Sequence, residues 1–237
     1  MTHLDKQEFY AWAYHDLLAN TTRGVLAEYI VARALGIDTK KITRVEWDKH
    51  DLEVDGIGVE VKSAAYVQSW HQDQDLSSMI SFNIGPAKWW DARTNTYAAN
   101  AERSADVYVF CLLNGTKRDD INPLDVTQWA FHVLATSILN QKAVTQKTIR
   151  LGPLIALGAQ QCAWDTLGDV IREKALANRE HSLPERRPAR PGFDTYTATT
   201  TAAGTAAICD AEPADGTVTP GHSNPRKSSA NDGAAGP

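Results

Sequence analysis

The chain has 237 residues, 43% of them apolar, with 24 Lys and Arg against 29 Asp and Glu and a net charge of −5. That apolar share supports a real core, and the mild acidity removes the global basic footprint that nucleic-acid binders often carry. It leaves a metal-dependent enzyme open, because a bound divalent cation reverses the local field of an acidic site.

The first third reads as helical. Residues 5–20, DKQEFYAWAYHDLLAN, place Phe9, Trp12, Ala13, Leu17 and Leu18 at helical spacing, with Asp5 as a cap. Residues 21–36 follow as a second helix: Thr21 or Thr22 caps it, Val25, Leu26, Ile30, Val31 and Leu35 form its apolar stripe, and Gly36 ends it. Strand signals then take over. ITRVEW (42–47) is short and β-branched, and HDLEV (50–54) and IGVEVK (57–62) are joined by Asp55-Gly56, a strong two-residue hairpin signal.

MISFNI (79–84), DVYVFCLL (106–113) and QWAFHVLA (128–135) each read as strands, the second nearly all apolar, as in a strand covered on both faces. The polar stretch holding Asn95 and Asn100, and NGTKRDDINPLD (114–125), are loop by composition. QKTIRLGPLIAL (146–157) fits strand or helix, and DTLGDVIREKALANRE (165–180) is a capped helix with Arg and Lys toward its C-terminal half. From residue 183 onward the chain carries seven of its ten prolines among Ala, Thr, Gly and Ser. Such a stretch buries too little surface to offset its ordering entropy and reads as a disordered tail over 183–237. Residues 1–182 read as one domain, with 19 Lys and Arg against 23 Asp and Glu. The element order predicts an α/β or α+β fold, a mixed central β-sheet flanked by helices.

Three cysteines, odd in number and widely spaced, make neither a disulfide framework nor a zinc pattern, and the seven histidines show no HxxxH or HxH spacing. No apolar run approaches membrane-spanning length, and the N-terminus lacks a basic-then-apolar leader. A soluble, cytoplasmic protein with no membrane partner is the expectation.

The hairpin carries the chemistry. A two-residue turn at Asp55-Gly56 pairs Val54 with Ile57, Glu53 with Gly58, Leu52 with Val59 and Asp51 with Glu60. Alternation then puts Leu52, Val54, Ile57, Val59 and Val61 on the core face, and Asp51, Glu53, Gly58, Glu60 and Lys62 on the other. Cross-strand partners lie about 4.5–5.5 Å apart at Cβ. Two carboxylates at ~5 Å repel by about 1 kcal/mol in water and about 3 kcal/mol at an effective dielectric of ~20. Lys62 supplies one offsetting charge, and a hard divalent cation would supply more. The same register opposes Lys49 to Lys62, so the ladder is expected to end or bulge near Asp51. Gly58 fits a weak strand position or a close approach. On the preceding helix, Glu28 lies beside the apolar stripe. The plainest reading of such a face is a solvated hairpin; an acid on the adjoining helix and a clustered acid pair favour a site.

A helix bearing Glu28, then strands, then Asp51 and Glu60-Val61-Lys62 across a hairpin with Ser63-Ala64 following, resembles the PD-(D/E)xK nuclease superfamily over about residues 24–129. The proline that names the motif is absent, with His50 before Asp51. The resemblance implies a restriction-endonuclease-like core and metal-dependent hydrolysis of DNA. It makes Asp51 and Glu60 carboxylate ligands of Mg²⁺ or Mn²⁺, with the Val61 backbone carbonyl as a further ligand. Lys62 would position or deprotonate the attacking water and stabilise transition-state charge, and Glu28 would orient water or touch a second metal. Phosphodiester hydrolysis needs a cation on the phosphoryl oxygen, an activated water and a positive group where charge develops.

Lesser features are Gln68 and Gln72, which follow the lysine where some superfamily members use a glutamine, and Trp70-His71 and Trp89-Trp90, which could stack on bases. Lys40, Lys41, Arg44 and Lys49 form a basic cluster suited to phosphates or to plain solvation. The alternative is a catalytically silent module that keeps the nuclease fold for DNA binding or protein assembly. A homodimer and a protein partner for targeting fit either reading.

Overall fold

A computed structural model describes residues 3–41, 44, 49–70, 78–91 and 95–182. Its helices are α1 (Lys6–Ala13), α2 (Asn20–Ala34), α3 (Thr136–Lys142), α4 (Leu151–Ala156) and α5 (Trp164–Ser182). Its strands are β1 (Leu52–Val54), β2 (Ile57–Ala65), β3 (Ser81–Asn83), β4 (Trp90–Asp91), β5 (Thr96–Tyr97), β6 (Val107–Leu113), β7 (Trp129–Ala135), β8 (Thr148–Arg150) and β9 (Gln160–Cys162).

Five strands form the central sheet in the order β1-β2-β6-β7-β9, with β2 and β6 parallel and every other neighbour antiparallel. The expected α/β architecture with a mixed sheet and flanking helices is present. The middle strands β6 and β7 are buried at every residue, which is why their sequences carry almost no polar side chains.

One face packs Val59, Val61, Val107, Val109 and Phe131 against α2 and α5, through Ala27, Ile30, Val31, Leu167 and Ile171. The Trp164 indole N–H donates to the Ile30 carbonyl at 3.1 Å and helps tie those helices together. The other face packs Tyr108, Phe110, Leu112 and Leu134 against the small β3–β8 sheet, α3 and α4. Phe82 and Phe110 meet edge to face there, with centroids 5.1 Å apart. The sheet thus has apolar cover on both sides, while its two edge strands carry polar side chains, Glu53 on β1 and Gln160 and Gln161 on β9.

Several elements depart from expectation. The first helix stops at Ala13 instead of running to 20, and Phe9 and Trp12 are exposed, not core. Asp5 does cap it, accepting from the Glu8 amide at 2.7 Å. Helix α2 begins at Asn20, so Thr21 and Thr22 lie inside its first turn and no side chain caps it; Gly36 follows its end at φ 78°. The 146–157 stretch resolves into strand β8 and helix α4. Helix α3 and strand β9 were not expected, and the two-residue ribbon β4–β5 stands in a region read as loop. The strand expected over 42–47 lies outside the described residues apart from Arg44, as does the tail from 183. Among the described residues no helix is long and apolar enough to cross a membrane.

Candidate functional site

The hairpin forms in the predicted register, Leu52 with Val59, Glu53 with Gly58 and Val54 with Ile57. Asp55 and Gly56 both have positive φ, 52° and 71°, the left-handed pair that a two-residue turn between right-twisted strands needs. The ladder ends at Leu52, as the Lys49–Lys62 clash required. Beyond that end the Val61 amide, which points toward β1, has no strand partner. The Asp51 carboxylate takes its place, accepting that N–H at 2.7 Å. Asp51 is thereby fixed by the backbone of β2 rather than by a strand of its own.

Gly58 is a close approach. A Cβ there would lie 2.8 Å from His50 Nδ1, so the imidazole stacks where a side chain would stand. His50 Nε2 meets Glu53 Oε2 at 3.2 Å, and Nδ1 is buried with no hydrogen-bond partner among the described residues. The Gly58 amide donates to Asp106 at 3.0 Å on the opposite side of the strand.

Glu60 and Lys62 point to the face opposite Val59 and Val61. Lys62 Nζ lies 2.5 Å from Glu60 Oε1. Burial raises the Glu60 pKa; Asp51 raises it further, and Lys62 pulls it back down. The parallel register sets Tyr108 of β6 beside Glu60, and burial, then Glu60 itself, pushes the phenol pKa up. Tyr108 escaped the sequence reading, because its neighbour is fixed by a parallel pairing across more than forty residues.

Asp51, Glu60 and Tyr108 line one cleft of about 260 Å³. Arg44, Lys49 and Lys88 supply its positive charge, and Trp89, Trp90 and Tyr97 its aromatic wall. Trp90 and Tyr97 pack edge to face at 4.8 Å across the β4–β5 ribbon, and Lys49 Nζ sits 5.6 Å from the Trp89 ring centre. Of the expected basic cluster, Arg44 and Lys49 reach this cleft; Lys41 pairs with Asp38 instead.

Glu28 stands on α2 with a mostly covered carboxylate, held by the Arg44 guanidinium through both Nε and Nη2. It joins the cleft through that arginine. Among the described residues no group of three or more His, Cys, Asp or Glu side chains is gathered to hold a metal, so Asp51 and Glu60 are a pair, not a triad with Glu28. The pair retains capacity: among the described residues the second oxygen of each carboxylate makes no hydrogen bond. Two carboxylate oxygens plus water and phosphate oxygens suit Mg²⁺, which is commonly held by one or two carboxylates beside substrate phosphates.

Gln68 is buried and structural in its contacts, accepting from Arg23 at 3.1 Å and donating to the Ala65 carbonyl at 2.7 Å. Trp70 is 60% exposed, away from the acid pair; Gln72 and His71 lie outside the described residues.

Among curated proteins none matches the chain. A sequence profile of the family described as bacteriophage T4 endonuclease IV matches residues 10–151, more than half the chain, from within α1 to the start of α4. The matched stretch contains Glu28, Asp51, Glu60, Lys62 and Tyr108, and it supports a DNA nuclease. The chain belongs to the bacteriophage T4 endonuclease IV family.

Proposed function

We propose that the protein is a divalent-metal-dependent endonuclease of the PD-(D/E)xK type, hydrolysing DNA phosphodiesters at the cleft lined by Asp51 and Glu60, with Lys62 paired to Glu60 behind that lining. The observation that carries this reading is the acid pair itself. Glu60 is largely buried, its pKa is raised by that burial and by Asp51, and one lysine only partly offsets the cost. A site that spends stability on two neighbouring carboxylates is a site that awaits a cation. Family membership and the mixed α/β sheet support the same reading.

Asp51 Oδ1 and Glu60 Oε2 would hold Mg²⁺ or Mn²⁺ with the Val61 carbonyl, and the ion would supply Lewis acidity at the phosphoryl oxygen. Asp51 is anchored by the Val61 amide, so its free oxygen is aimed without a rotamer search. Lys62 bears on Glu60 and, with substrate present, supplies positive charge where the transition state accumulates negative charge. Arg44, held by Glu28, presents its guanidinium to the cleft as a phosphate contact, which makes Glu28 a positioning residue. Trp89, Trp90 and Tyr97 offer faces on which exposed bases can stack.

One observation favours the silent-module reading: Asp51, Glu60 and Glu28 each already have an internal partner in Val61, Lys62 and Arg44. Incubating the protein with plasmid and single-stranded DNA, in Mg²⁺ or Mn²⁺ and again in chelator, separates the two. Cutting that requires the metal supports the nuclease. DNA binding with no cutting under any metal would establish the module instead.

A further inference from the structure

A second polar pocket, of about 320 Å³, opens at the far end of β2 from Asp51. It is lined by Asn20, Arg23, Ser63, Gln68 and Ser81, with Trp70 at its rim. Arg23 is only 3% exposed. Its guanidinium donates to the Leu18 carbonyl at 2.9 Å, to Gln68 at 3.1 Å and to Asn20 at 2.6 Å, all neutral acceptors. Among the described residues its Nε–H has no acceptor. Among the described residues no carboxylate pairs with it and none lines the pocket.

A buried guanidinium without a counter-charge is costly, because desolvation is offset only when an anion or a full set of hydrogen bonds replaces water. Burial accordingly lowers its pKa. The other buried arginine shows the contrast. Arg103 spends its nitrogens on the Ile84, Ala143 and Gln146 carbonyls and on Asn140, a structural assignment that leaves none orphaned. Arg23 also sits in the first turn of α2, a 15-residue helix that no side chain caps, so the positive end of the helix dipole adds to its field.

The pocket lies on the strand that carries the acid pair. Lys62 is followed directly by Ser63 and Ala64, which line it, and four residues of β2 span about 13 Å at ~3.3 Å each. We propose that this pocket binds a phosphate group of the DNA strand a few nucleotides from the one being cut, with Arg23 as its charge partner and Trp70 beside the adjoining base. The identity of the ligand rests on the nuclease reading; the anion site rests on Arg23.

The test measures binding in chelator, where no cutting occurs. Fluorescence anisotropy with an end-labelled single-stranded oligonucleotide compares wild type with Met79→Glu, Met79→Gln and Arg23→Gln. Met79 lines the pocket and is 70% exposed, so both of its variants keep the fold. A carboxylate at that rim is expected to weaken binding about threefold to tenfold at low salt relative to the neutral glutamine. Losing the Arg23 contact is expected to reduce the slope of log affinity against log salt by about 0.7, one phosphate's worth for a single strand.

Equal binding by Met79→Glu and Met79→Gln, with an unchanged salt slope in folded Arg23→Gln, overturns the proposal. So does a wild type that inorganic phosphate stabilises against heat while its oligonucleotide binding ignores both changes, since the pocket then serves free phosphate. The predicted binding losses in a protein that never cuts DNA would sink the nuclease reading and leave the pocket standing.

Discussion

Asp51→Asn is the substitution whose sign is least intuitive. The carboxamide keeps an oxygen for the Val61 amide, so the end of the hairpin stays capped, while one charge of the acid pair disappears. The Val61 amide holds Asp51 beside Glu60 without ladder pairing, and at a separation of ~5 Å the repulsion removed is about 1 kcal/mol in full solvent and about 3 kcal/mol at an effective dielectric of ~20. Glu60 is mostly covered, so a value between those limits applies. For a domain of this size that is a rise of roughly 2–12 °C in Tm in the presence of chelator.

The pH dependence has a fixed sign. A carboxyl whose pKa is raised in the fold binds more protons native than unfolded, so stability falls as pH climbs from the ordinary carboxylate range through the raised value. Removing Asp51 lowers the Glu60 pKa and shrinks that fall. The variant's advantage should therefore vanish in acid and be full at neutral pH. Adding Mg²⁺ or Mn²⁺ should reverse the order, because an ion that binds only the native wild-type pair stabilises it by mass action. Calorimetry or thermal melts over a pH series, with and without metal, measure all of this. A variant less stable than wild type in chelator at neutral pH, or equal stabilisation of both proteins by metal, would refute the reasoning.

Two further predictions concern the frame of the site. Gly58→Ala forces a Cβ onto the His50 ring, and the clash should cost about 1–3 kcal/mol in urea unfolding, recovered in large part by His50→Ala in the same chain. Cys111 is fully buried and burial drives its thiol pKa up, so mild alkylation of the native protein, read by mass spectrometry, should spare Cys111 and modify it only after denaturation. Modification at the native rate of an exposed thiol would mean that the central strand opens readily.

What the sequence makes legible is local. The Asp55-Gly56 turn and the alternation beside it determine the register of β1 and β2 without reference to anything distant, and the unbroken apolar runs of β6 and β7 announce strands covered on both faces. Helix α3 hides because it follows β7 directly, with Ala135 at its start and no capping side chain to mark the boundary. Strand β9 is Gln-Gln-Cys, a sequence with no β preference, held only by the edge that β7 offers it. The aromatic residues of α1 show a different limit. Spacing tells which residues share a face, but not whether another surface covers it, and Phe9 and Trp12 remain in solvent.

The candidate site divides in the same way. Asp51, Glu60 and Lys62 follow from hairpin geometry. The hydrogen bond that orients Asp51, the Tyr108 ring beside Glu60 and the Arg44 clasp on Glu28 depend on contacts between elements far apart in sequence.

A metal-dependent cut at the Asp51–Glu60 cleft, with Lys62 acting beside Glu60, is checked by the rate of plasmid cleavage in Mg²⁺ for wild type and Lys62→Ala side by side, both shown folded by circular dichroism. Wild type should cut, and chelator should abolish the cutting. The variant should lose on the order of 10²–10³ in rate, the usual consequence of removing one group that stabilises transition-state charge. Equal rates in the two proteins, or wild-type cutting that persists in chelator, would contradict this assignment.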